Sequence, residues 1–167
     1  MKSELADLHR HLDGSIRPDT LHELATAANT EVPTDLVFAP GMGLESALAR
    51  FAFTLSLLQD PRTVERVAHE ICDDASADGV CTLEIRFAPQ LHKGASISSI
   101  VDAALRGIDG RAGLILCGLY GEPPELLEHL VDVGLGRQGV VGLDLAGGPA
   151  PGHRWGMLDY TTAFKTA

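Results

Sequence analysis

The sequence predicts an α/β fold: the first four strand–helix units of a parallel TIM (β/α)8 barrel, a half barrel in one chain. Three observations predict it. Short β-rich runs alternate with longer stretches of helical period from end to end. The runs are largely apolar, as parallel strands are when helices cover them. The 167 residues hold four such units, where a closed barrel needs eight in about 250 residues.

The first strand is predicted over residues 5–12, running into the turn Asp13-Gly14-Ser15. A helix over residues 18–28 follows, with Pro18 in its first turn and Leu21, Leu24, Ala25 and Ala28 on one face. Residues 30–43 contain two prolines and two glycines and read as a loop. Helices over 44–58 and 62–77 are separated at Asp60-Pro61, since a residue before proline is pushed out of helical backbone. The second strand, 80–88, stops at Pro89. A helix over 97–108, a strand over 114–120 and a helix over 123–133 come next, the last opening on tandem prolines. The fourth strand, 140–146, is closed by Gly147-Gly148-Pro149, and residues 159–167 begin a further helix. Residues 1–167 therefore read as one unit that stops short of a fifth strand.

Charge narrows the partners. Lys plus Arg number 13 against 23 for Asp plus Glu, a formal net charge of −10. Such a surface repels phosphate backbones, so nucleic acid and anionic membranes are not expected partners. No apolar run approaches the roughly 20 residues that span a bilayer. The N-terminal stretch is too polar for a secretory leader, which points to the cytoplasm. Cys72, Cys81 and Cys117 form no CxxC pair and are expected to be buried free thiols.

Alternation along the strands shows which side chains converge. His9, His11 and Asp13 share one face of the first strand, near its carboxyl end. Two neutral imidazoles two residues apart suit a divalent metal, and barrel active sites sit at that end of the strands. The same pair also suits an ordinary surface or core histidine pair. In the second strand Leu83, Ile85 and Phe87 face the helices, which turns Glu84 and Arg86 inward and predicts that the two pair, as a structural ion pair or in direct contact with substrate. In the fourth, Val141, Leu143 and Leu145 face out and Asp144 faces in, with Gly147 where backbone approaches a ligand or simply turns. His69-Glu70 starts no HExxH and reads as a solvated helix face, and His22, His92, His129 and His153 as surface or loop. There is no Walker loop, no GxSxG, and no HxE with PCxxC.

Three stretches together resemble the adenosine deaminase family of metal-dependent hydrolases. They are Leu8-His9-Arg10-His11-Leu12-Asp13-Gly14-Ser15-Ile16-Arg17-Pro18, Leu83-Glu84-Ile85-Arg86-Phe87-Ala88-Pro89, and Val141-Gly142-Leu143-Asp144-Leu145-Ala146-Gly147, in family order. The resemblance implies a barrel of the metal-dependent hydrolase type, with Zn2+ on His9 and His11 and His11 also beside the substrate. It further implies Asp13 near a ribose 5′-hydroxyl, Gly147 close to the purine, and an apolar lid carrying Leu44, Leu48 and Phe51. Asp at position 13 favours a nucleoside, since relatives acting on free adenine tend to carry Glu. Core packing explains the Leu44, Leu48 and Phe51 stripe as well.

The family's third zinc histidine and its catalytic glutamate lie in a later His-Ala-Gly-Glu motif, with a further histidine and an Asp-Asp pair beyond. None matches within these residues, so no catalytic acid–base residue is assigned here. Gln90 stands where many relatives have His, Tyr120-Gly121 where Arg-His is common, and Gly148-Pro149 in place of an acidic pair. The leading expectation is hydrolytic deamination of adenosine to inosine and ammonia by the intact protein, with this chain alone inactive. A non-catalytic half barrel, self-associating through open strand edges, and a relative acting on another aminopurine are the alternatives.

Overall fold

The computed structural model describes residues 5–37 and 39–167, with the backbone alone for residues 44 and 45. Four parallel strands stand in sequence order: β1 (Leu5–His11), β2 (Val80–Phe87), β3 (Gly113–Leu119) and β4 (Val140–Ala146). Six helices connect or follow them: α1 (Pro18–Ala27), α2 (Leu44–Leu57), α3 (Pro61–Ala77), α4 (Ile97–Ile108), α5 (Pro124–Gly134) and α6 (Thr161–Thr166). Short 3-10 turns lie at Pro89–Leu91 and Met157–Tyr160. Sequential, all-parallel order is what the first four strands of a barrel show. The predicted half barrel is the observed fold.

Starts and stops follow local chemistry. Asp60 caps α3 by accepting the Arg62 N–H at 2.8 Å, with Pro61 at its first position. Ser96 caps α4 through the Ser99 N–H at 3.2 Å. The core lies between the sheet and helices α3 and α4. There Leu83, Ile85, Phe87, Leu114 and Leu116 meet Val64, Val67, Ile71, Ile100 and Val101, all buried. Leu143 and Leu145 of β4 also pack towards helices, while Val141 is 59% exposed. It falls where the β3–β4 register slips between Leu114 and Ile115, which turns it out of the helix layer.

Two features depart from the predicted surface. Glu70 is 8% exposed, not solvated: its carboxylate accepts Thr20 Oγ1 at 2.8 Å and Arg66 Nε at 2.8 Å. Those partners offset the cost of burying the charge. Cys81 is exposed, because it sits at the amino end of β2 beside Leu5 of the outermost strand, whereas Cys72 and Cys117 are buried. Burial pushes the Cys117 thiol up to about 11, so it stays protonated at neutral pH. Labelling the native chain with an alkylating thiol reagent is therefore expected to modify Cys81 quickly and the other two at least about tenfold more slowly. Equal rates at all three would contradict this burial.

Among the described residues, β1 and β4 each pair on one side only. Exposed apolar side chains accompany both, Leu5 and Leu8 on β1, and Val141 on β4. No helix among the described residues is long and apolar enough to cross a membrane.

Candidate metal and substrate half-site

Side chains facing away from the helices gather towards the carboxyl ends of the four strands. His11 lies opposite Arg86 in the β1–β2 register, and Cys117 opposite Asp144 in the β3–β4 register. The rings of His9 and His11 stand 5.1 Å apart between centroids. Arg86, whose side chain is 11% exposed, reaches in two directions. Its Nη1 lies 2.7 Å from His9 Nδ1, and its Nη2 lies 2.6 Å from Asp144 Oδ2. The Cys117 thiol completes the row, 3.6 Å from the same Asp144 oxygen.

Arg86 thus pairs with Asp144, not with Glu84 as the strand alternation predicts. Glu84 stands two residues back along β2, whereas the guanidinium extends sideways past β3. A cation next to a partly buried carboxylate satisfies both charges.

At the end of β1 the chain turns tightly. A Cβ on Gly14 would fall 2.9 Å from the Phe51 ring, so glycine lets α2 come down on the turn. Phe51 also meets the His11 ring, with centroids 5.7 Å apart. Burial, then the nearby His9 and Arg86, lowers the His11 pKa, which favours the neutral, metal-binding form. Burial raises the Asp13 carboxyl, against its own and Gly14 backbone N–H groups and His92. Asp13 Oδ1 is buried without a hydrogen-bond partner and stands 3.8 Å from His11 Nδ1. An orphaned acceptor in this place is a ready seat for a hydroxyl donor.

Gly147 follows β4 with φ +83°, a backbone that favours glycine, and nothing crowds its Cα side. Of the lid stripe, Phe51 covers His11, Leu48 is 56% exposed, and the Leu44 side chain lies outside the described residues. His22, His129 and His153 are at the surface as expected, His153 stacking on Tyr120 at 5.6 Å. His92 is not: it is 2% exposed. Gln90 Nε2 donates to the Cys117 carbonyl at 3.1 Å and to Glu122 Oε2 at 2.9 Å, and its Oε1 is buried without a partner. Glu122 escapes a reading by motif. Its signal is a carboxylate three residues past Leu119, whose N–H it accepts at 2.9 Å.

Among the described residues no group of three His, Cys, Asp or Glu side chains is arranged to hold a metal. His9 and His11 fit two positions of such a site. His9 turns a nitrogen to Arg86, which keeps its second anchor on Asp144 if that nitrogen is taken up elsewhere.

Strand order and parallel pairing define the fold as half of a (β/α)8 barrel, with polar groups gathered at the carboxyl edge. The chain matches the family model described as Adenosine deaminase over residues 4–167. It is 37% identical over 175 residues to the adenosine deaminase of Vibrio atlanticus (strain LGP32), covering 93% of this chain and 52% of that one. It is 40% identical over 162 residues to the probable adenosine deaminase of Dictyostelium discoideum, covering 85% of this chain and 21% of that one. The apo structure of the N6-methyl-AMP deaminase from Arabidopsis thaliana superposes with a TM-score of 0.78 at 27% identity, over 97% of this chain and 53% of that one. The chain belongs to the adenosine deaminase family. It spans about half the length of the Vibrio protein.

Proposed function

We propose that residues 1–167 form the first half of a zinc-dependent deaminase that converts adenosine, or a closely related purine nucleoside, and water to inosine and ammonia. The observation that carries this is the His9–His11 pair at the carboxyl edge of β1, in a chain of this family. His9 and His11 would hold the ion. The chemistry it supplies is Lewis acidity, which makes water a usable nucleophile near neutral pH.

The chain's own residues account for binding and orientation. Arg86, fixed by Asp144, fixes the His9 ring in turn. Asp13 Oδ1 accepts the sugar 5′-hydroxyl, and the Gly147 backbone lies against the base. Phe51 shields one side of the His11 ring, whose side chain is otherwise 41% exposed. A buried carboxylate at position 13 repels a 5′-phosphate, so a nucleoside is favoured over the monophosphate named for the Arabidopsis relative. Two imidazoles fall short of the three protein ligands that catalytic zinc keeps, so the 167-residue chain alone is expected to release no ammonia. The reading places this chain in the cytoplasm, with a purine nucleoside as its partner.

A chimera tests the proposal. This chain would replace the matched half of the Vibrio atlanticus adenosine deaminase, and ammonia release from adenosine would be measured. Turnover is expected, at least about tenfold greater in kcat/KM for adenosine than for AMP. A folded, zinc-loaded chimera that leaves adenosine untouched would refute it. A second reading draws on the singly paired edges of β1 and β4 with Leu5, Leu8 and Val141 exposed beside them. In it the chain is an assembly module that associates with itself through those edges. Sedimentation showing a monomer at high concentration would remove that reading.

A further inference from the structure

His92 is buried at a joint between three elements. Its Nδ1 lies 2.5 Å from the carbonyl oxygen of Leu58, the residue that ends α2. A carbonyl only accepts, so this bond puts the proton on Nδ1 of the neutral ring. The ring meets Phe87, the last residue of β2, edge-on at 5.3 Å. It is also coupled electrostatically to Asp13, just past the end of β1.

Its neighbours close the same joint. The Lys93 N–H donates to Gln59 Oε1 at 2.6 Å, and Gln59 Nε2 donates to the Leu91 carbonyl at 3.3 Å. A Cβ on Gly94 would come within 2.0 Å of the Gln59 carbonyl oxygen, so the two backbones touch. At the other end of α2, Gly43 offers no side-chain cap. Between the two ends sits Phe51, against Gly14 and His11.

We infer that His92 is a positioning residue: it anchors the carboxyl end of α2 to the turn after β2 and so fixes Phe51 over His11 and Gly14. Its importance to turnover rests on the deaminase reading; the anchor itself does not. A histidine that only filled volume could be exchanged for an apolar side chain without freeing α2.

Hydrogen–deuterium exchange on the 167-residue chain tests this with two variants, His92→Leu and His92→Asn. Leucine fills space and donates nothing, whereas the asparagine amide restores a donor near Nδ1. His92→Leu is expected to speed exchange of the α2 amides roughly fivefold, the loss of one hydrogen bond, and leave α3 and α4 unchanged. His92→Asn should stay within about twofold of the parent chain. The inference fails if leucine leaves α2 unchanged, or if α2, α3 and α4 all exchange faster together. It also fails if asparagine opens α2 as far as leucine does, or if either variant unfolds. No substrate enters this readout, so its failure is distinct from that of the deaminase reading, which appears as an inactive chimera.

Discussion

Replacing Gly107 with alanine is expected to destabilise the fold, with overpacking costing about 3 kcal/mol, the upper end of its usual range. Gly107 lies in α4 where it crosses α3. A Cβ there would stand 2.1 Å from the Glu65 carbonyl oxygen and 2.9 Å from the Ala68 Cβ. Both groups belong to α3, one of them backbone, so no side-chain rotation relieves the clash. The helices must separate, and the separation opens the layer where Val64, Val67 and Ala68 meet Ile100, Val101 and Ala104, all fully buried. Alanine's better helix propensity returns only about 1 kcal/mol. For a domain of this size the net loss, about 2 kcal/mol, corresponds to a fall of roughly 4–8 °C in Tm. Gly148→Ala is the control, since a Cβ there has open space and an ordinary φ. Thermal unfolding followed by circular dichroism distinguishes them. A Gly107→Ala chain that melts with the parent would show that α3 and α4 are not in backbone contact.

This pair of helices shows what the sequence could and could not disclose. The bounds of α4 and β4 are those that hydrophobic periodicity predicts. Elements β1, α1, α2, α3 and β2 differ by a residue at one end, β3 and α5 are shifted by one residue, and α6 starts two residues later than predicted, after a 3-10 turn. Apolar period marks where an element begins, and glycine or proline where it stops. The inward faces were legible too, because alternation puts His9, His11 and Asp13 on one side and Leu83, Ile85 and Phe87 on the other. Alternation says nothing about register between strands. The β1–β2 pairing slips between Asp7 and Arg10, and the β3–β4 pairing between Leu114 and Ile115. Such slips, and the reach of a guanidinium past a neighbouring strand, decide that Arg86 meets Asp144 and leaves Glu84 aside.

The burial of Glu70 and His92 was hidden for a related reason. Each depends on a partner remote in the sequence: Thr20 lies 50 residues before Glu70, whose other partner Arg66 is only four away, and Leu58 lies 34 before His92. A polar residue isolated along the chain is buried only when a distant element supplies its hydrogen bonds. Local spacing cannot reveal that. For His92 a partial signal existed, since a turn directly after β2 must lie on the carboxyl face of the sheet, where the site gathers.

Removing either imidazole is expected to abolish zinc binding by this chain within the measurable range. Structural zinc held by four protein ligands is worth about 10–16 kcal/mol, so two ligands supply roughly half. By that estimate the dissociation constant falls between about 1 μM and 0.2 mM, in reach of calorimetric titration after chelator treatment. His9 and His11 are the pair in position, with ring centroids 5.1 Å apart. With one imidazole left, the same proportion puts the constant above about 1 mM. His9→Ala and His11→Ala should therefore both give flat titrations at micromolar zinc, while His22→Ala, exposed on α1, should match the parent. The two variants part on a second measurement. Arg86 holds the His9 ring, whereas His11 is packed against Phe51. His11→Ala should therefore speed hydrogen exchange near Phe51, and His9→Ala should leave it as it is. Zinc bound equally by the parent and the double variant would place the ion elsewhere and end the assignment of this pair as ligands.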